Sequence, residues 1–240
     1  MKKIHLIALI LIAGATSGIL SSCRMHCVRG SGNQVTINRK VGAFTKLEVS
    51  DSFKVLVKQD STTSTINITA DDNLMKYIKT SVENGVLHIY TRKNMCNSGE
   101  MVIRVPMRIV EGLKASDGAE ITADGKLNGQ EVYLTVSDGA KITAELTAKN
   151  VITHTSDEAE LDLKGQSSTN DIQLSDGSKI YAKDFVSGSS TIHASDGSYI
   201  ELNVLNDLNV RASDGAVIKY KGTTNVNTSK SDGASVEKLN

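Results

Sequence analysis

The sequence predicts an all-β chain: a single-stranded parallel β-helix preceded by a β-rich N-terminal lead-in. Three observations carry this. Ser-Asp recurs at 116, 137, 156, 175, 195, 213 and 231, in steps of 21, 19, 19, 20, 18 and 18 residues, a repeat signature. Around each copy apolar and polar residues alternate with period two, as in strands with one face buried and one wet. No copy holds a helical pattern long enough for a crossover helix, so successive strands must be joined by coiling.

The element at the centre of each copy is its corner. Counting from the Ser as zero, position +5 holds Ile121, Ile142, Leu161, Ile180, Ile200, Ile218 and Val236, all aliphatic. Position +3 holds only Ala or Ser. Position −3 holds Leu113, Leu134, Thr153, Ile172, Ile192, Val210 and Thr228. Each copy therefore reads strand, Ser-Asp-Gly corner, strand, polar connection, closing one rung. Rungs stack ~4.8 Å apart, the ordinary strand spacing. Like positions then lie over like positions, and each rung buries its face only against its neighbours.

Gly at +2 suits a backbone with φ > 0; in the third copy Glu158 takes its place. The Asp at +1 is expected to hydrogen-bond backbone amides two residues on and fix the turn. The functional alternative is a binding ridge of stacked carboxylates: Asp117, Asp138, Asp157, Asp176, Asp196, Asp214 and Asp232. Two such charges ~4.8 Å apart repel by about 1 kcal/mol in water and about 3.5 kcal/mol at an effective dielectric of about 20, so something must relieve them. Calcium-binding β-rolls use a nine-residue unit. The present period is twice as long with one Asp per turn, so no metal site and no cofactor are expected.

From the N-terminus, Lys2 and Lys3 precede a mostly apolar run to Leu20, followed by Ser21-Ser22-Cys23. This predicts a lipoprotein signal over 1–22 cut before Cys23, whose thiol takes the lipid. An ordinary secretory signal or a membrane span are the alternatives; a span fits poorly because the run is short. Residues 23–40 read as a polar tether and 41–240 as one domain, with an irregular lead-in over 41–106 and regular repeats over 107–240. Losing Lys2 and Lys3 leaves 25 basic against 27 acidic residues, which gives no electrostatic ground for a nucleic-acid partner. Cys27 and Cys96 either pair in the oxidising compartment or stay free.

Within the lead-in, Phe44 to Val57 is a degenerate first repeat around Ser50, with Phe53 in the small +3 site. Residues 64–70 read as a strand, and Asp71 to Ile78 as one or two helical turns. A hairpin turns at Asn84-Gly85. Met101 to Val105 is a strand ended by Pro106.

No catalytic residues are predicted. There is no P-loop, dinucleotide fingerprint, Cys-x-x-Cys or Gly-x-Ser-x-Gly. His154 and His193 both sit at −2, two rungs and roughly 10 Å apart at the strand spacing, as wet-face residues. Paired carboxylates of a glycosidase type are ill matched to seven interchangeable aspartates.

The stretch Phe44 to Val57, the excursion from Asp72-Asn73-Leu74 to Leu87-His88-Ile89, Val102 to Pro106 and the serine-centred repeats together resemble the "putative auto-transporter adhesin, head GIN domain" family, β-helical proteins common in Bacteroidota. The resemblance runs from about Val41 to Val236 and implies a right-handed coil and adhesion. That family's corners are usually Ser-Gly-Ser-like; here they are Ser-Asp-Gly, which leaves the fold intact but can change any ligand of the corner.

The expected function is a non-catalytic, lipid-anchored cell-envelope protein of the outer membrane, on its periplasmic or surface face. It would act in adhesion or scaffolding, with a glycan or protein partner and with oligomers open. A glycan-acting lyase or hydrolase and a periplasmic sensor component are the competing classes.

Overall fold

The computed structural model describes residues 27–96 and 99–239, so the expected signal segment and Cys23 lie outside the described residues. Among the described residues eighteen strands follow one another without a helix: β1 (Val28–Arg29), β2 (Gln34–Lys40), β3 (Lys46–Val49), β4 (Lys54–Gln59), β5 (Thr65–Asp71), β6 (Ile78–Glu83), β7 (Val86–Thr91), β8 (Met95–Cys96), β9 (Val102–Met107), β10 (Gly112–Ala115), β11 (Glu120–Val136), β12 (Lys141–Thr155), β13 (Glu160–Leu174), β14 (Lys179–Ala194), β15 (Tyr199–Ala212), β16 (Val217–Lys221), β17 (Asn225–Lys230) and β18 (Ser235–Lys238). From β10 onward every pairing is parallel, each strand lying on the strand one rung away. The chain is a parallel β-solenoid of about seven turns.

Register turns the repeat into columns. Val55, Ile121, Ile142, Leu161, Ile180, Ile200, Ile218 and Val236 pair successively, and Ile103 of β9 extends the file below Val55. The −3 file runs likewise from Leu87 through Leu47, Leu113, Leu134, Thr153, Ile172, Ile192 and Val210 to Thr228. Both files are buried up to the last rung. The small +3 residues are fully enclosed as far as Ala216; in the first rung Phe53 fills that site, also fully buried.

Uneven steps are absorbed away from these files. The 21-residue step places its extra residues between Thr122 and Lys126. The 20-residue step slips between Asp162 and Lys164, and the return to 18 occurs between Ala182 and Ser189. Bulges of this kind take up the insertion locally and leave the pairing on either side in phase. The polar connection expected between strands is itself extended and paired, as in Asn150 against Thr169. Each rung is thus one long bent strand plus one tight turn.

The corner differs in mechanism from the expectation. Both central residues are left-handed: Asp117 has φ 52° and Gly118 φ 71°, and the pattern repeats through Asp232 (φ 48°) and Gly233 (φ 77°). Backbone closes the turn, Ala119 N–H donating to Ser116 O at 3.0 Å, with the same bond in each later copy. Two positive φ values and an i to i+3 bond define a type I′ turn, for which Asp-Gly is a preferred pair. The Asp carboxylate is therefore not the clamp. In three corners it instead accepts from the preceding hydroxyl: Ser50 Oγ at 3.0 Å in the degenerate first corner, Ser116 Oγ at 2.9 Å and Ser175 Oγ at 2.5 Å.

The N-terminal end is capped. β7 and β9 form an incomplete rung beneath β3 and β4. The antiparallel β6 closes one side, and β5 with β2 closes the other. Three local expectations change here. Residues 71–78 form two successive tight turns, Leu74 N to Asp71 O and Tyr77 N to Leu74 O, with no helical ladder. Pro106 lies within β9, opposite Lys58, one step short of the strand's end. It is tolerated because β5 pairs only with 102–104, so the missing N–H faces no partner. Finally, the segment expected as tether contains β1 and β2, and β1 is stapled by the disulfide Cys27–Cys96.

A candidate binding surface

The outer wall carries three kinds of file. The first is the aspartate ridge. All seven carboxylates are exposed at stacked corners. Successive turns are joined by Gly118 N–H to Asp138 O at 2.9 Å and the equivalent bonds up to Gly215 N–H to Asp232 O. Exposure to water is what lets like charges stand one above another. Among the described residues no three His, Cys, Asp or Glu side chains gather as a metal site.

The second is the +4 file on the strand leaving each corner. Glu120, Lys141, Glu160 and Lys179 pair in sequence, so the charge alternates up the wall, and Lys141 is ion-paired with Glu160. Above them Tyr199 packs 6.1 Å from Tyr181, has Lys219 5.4 Å from its ring centre, and donates its hydroxyl to Glu201. Burial, then the Glu201 carboxylate, push the Tyr199 phenol up to about 12. This face satisfies itself.

The third is the −2 file on the strand entering each corner. Thr135, His154, Gln173, His193, Arg211 and Ser229 pair one to the next, so the two histidines lie two rungs apart with Gln173 between them. The side chains of His154, Gln173, His193 and Arg211 have no hydrogen bond or ion pair among the described residues. Together with the corner serines Ser156, Ser175, Ser195, Ser213 and Ser231 they line an open groove of ≈ 600 Å³ running along the stack. A ligand there meets imidazole, amide and guanidinium donors on one side and hydroxyls on the other, with the aspartate ridge just beyond. Gln173 and Arg211 escape sequence reading because nothing marks them singly. Their signal is positional: both occupy the −2 place that the two histidines share.

Solved structures of the same shape exist. A "putative adhesin" from Bacteroides fragilis superposes with a TM-score of 0.81 at 16% identity, covering 88% of this chain and 100% of that one. A "putative adhesin" from Parabacteroides merdae gives 0.73 at 19%, covering 89% and 99%. A "putative lipid binding protein" from Parabacteroides distasonis gives 0.73 at 16%, covering 89% and 99%. At these identities they share the fold with this chain. No curated protein matches it. The family described as "Putative auto-transporter adhesin, head GIN domain" matches residues 43–224, all but the ends of the described coil, and the chain belongs to that family.

Proposed function

We propose that this protein is a non-catalytic binding module of the cell envelope, tethered by lipid on Cys23. Its groove would hold an extended glycan lying along the stack. The observation that carries this is the −2 file: four neighbouring side chains, stacked in register and without internal partners, line one groove. Repetition at the rung spacing offers a linear ligand several similar weak contacts, which add through effective concentration without any single strong site. The adhesin names of the family and of its solved neighbours agree with such a role. A lyase or hydrolase would need a singular acid–base pair, and the groove's titratable groups are repeats of one position.

The test is a glycan array probed with the wild-type chain and with His154→Ala, His193→Ala and Arg211→Ala combined. Binding of linear envelope glycans that the triple variant loses supports the proposal; binding unchanged by it, or shortened glycan products, overturns it. Metabolic labelling with a fatty acid, lost in Cys23→Ser, tests the anchor separately.

A further inference from the structure

Charge is divided between the two ends of the molecule. From Cys23 to Val110 there are 13 basic and 7 acidic residues, a net of +6; from Glu111 to Asn240 there are 12 basic and 20 acidic, a net of −8. The near-neutral total conceals a basic cap on an acidic coil.

The outermost elements of the cap concentrate the positive charge. β6 ends the main path of the sheet and β2 ends the antiparallel layer. On these strands, on β1, and on the turns beside them lie Arg29, Lys40, Lys76, Lys79, Arg92 and Lys93. None of the six has an ion pair among the described residues. Lys79 Nζ donates to Lys76 O, and Lys76 stands 5.0 Å from the Tyr77 ring centre. Arg39 is drawn into the cap, donating to Ile78 O and Thr80 Oγ1. Of the acids on the same elements, Asp72 is engaged by Ser31 and Asn33, whose hydrogen bonds hold its carboxyl below the usual range. Glu83 stands exposed.

The chain also leaves the fold from this end. Cys27 is fixed to Cys96. Only Arg24, Met25 and His26 separate it from Cys23, a reach of about 14 Å at full extension. We propose that the basic N-terminal cap is a docking face for the anionic headgroups of a lipid bilayer, so that the acidic coil and its groove stand away from the membrane. A cluster of cations beside the anchor adds an electrostatic contact with anionic headgroups, worth about 1 kcal/mol per Lys or Arg near the surface. The anchor belongs to the proposed function, but the charge division and the unpaired cations hold without it.

The experiment uses the chain from Arg24 to Asn240, which contains every described residue and no lipidation site. It is sedimented with vesicles of phosphatidylglycerol and phosphatidylethanolamine, or of phosphatidylcholine alone. The expected result is binding to the anionic vesicles only, weakening as salt is raised, with about fivefold loss for each cap cation removed. Lys40→Glu, Lys76→Glu, Lys79→Glu and Arg92→Glu combined should abolish it, the milder Lys→Gln and Arg→Gln set should reduce it, and Lys179→Glu with Lys183→Glu on the coil should leave it unchanged. Circular dichroism confirms that each variant is folded. Equal binding to neutral vesicles, no binding to either, or full binding by the cap variants overturns the proposal. So does capture by soluble heparin or RNA without vesicle binding. Because the probe lacks Cys23 and keeps His154, His193 and Arg211, its failure leaves the anchor and the groove untouched.

Discussion

Glu158 is the residue that departs from its repeat, and its backbone shows what the departure costs. It holds φ 58° where the other six corners from Ser116 onward have glycine; only Ser52, in the degenerate first corner, shares that position without one. A side chain with a Cβ in this region is disfavoured by roughly 1–2 kcal/mol, partly offset because glycine is freer when unfolded. Glu158→Gly is therefore expected to stabilise the protein by about 1 kcal/mol, read as a higher denaturation midpoint at unchanged slope. Tyr199 supplies the pH dependence. Its folded pKa, about 12, stands above the unfolded value of about 10. Below pH 10 both states hold the proton and the full stability is present. Between about 10 and 12 the unfolded state releases it first, so stability falls as pH rises through that window. Tyr199→Phe should flatten that alkaline decline in melting temperature. Ultraviolet titrations of the wild-type chain and of Tyr199→Phe should differ by one phenol that ionises near pH 12.

At the level of the strand, the last rung stops the stack. β17 pairs with β15 on one side, and its other backbone edge is open. Thr228 and Lys230 stand opposite the buried Val210 and Ala212, so two largely apolar files end in an exposed hydroxyl and an exposed ammonium. An inward-directed charge on an edge strand opposes pairing with another chain. The open edge alone points to strand pairing between copies; the residues at its inward positions argue against it. Thr228→Val with Lys230→Leu should remove the block and give concentration-dependent association in sedimentation velocity, where wild type does not change. The columns themselves are legible in the sequence, because a period near 19 with fixed aliphatic places has few other solutions. The corner's type I′ geometry is half legible. Asp-Gly is a known pair for that turn, but a carboxylate beside free amides reads as the clamp when the backbone already closes the ring. The groove and the basic cap are not legible by motif. The first depends on summing one position over several rungs, the second on dividing a charge balance that cancels over the whole chain.

For the whole molecule, the decisive property is that pairing reaches only the next rung. The ladders from β10 to β18 join strands one turn apart, and the bulges show that length changes are confined to where they occur. Stability is then close to a sum of rung and interface terms. Removing one complete period should shorten the rod without unfolding it. Deleting residues 138–156 joins Ser137 to Asp157, restores a Ser-Asp corner, and brings Ile121 beneath Leu161 in the same apolar file. The expected product keeps strand-type circular dichroism and a cooperative melt, at lower stability than wild type. A deletion of 138–147, about half a turn, puts polar residues into the core files and should leave no folded protein. If the full-period deletion were as disruptive as the half-period one, the rungs would be coupled beyond their neighbours and the one-dimensional account would fail. The same shortened rod lacks His154 and so presents the groove with one donor fewer. Its affinity for a linear ligand should fall by a modest step and not vanish, as repeated weak binding along the stack requires.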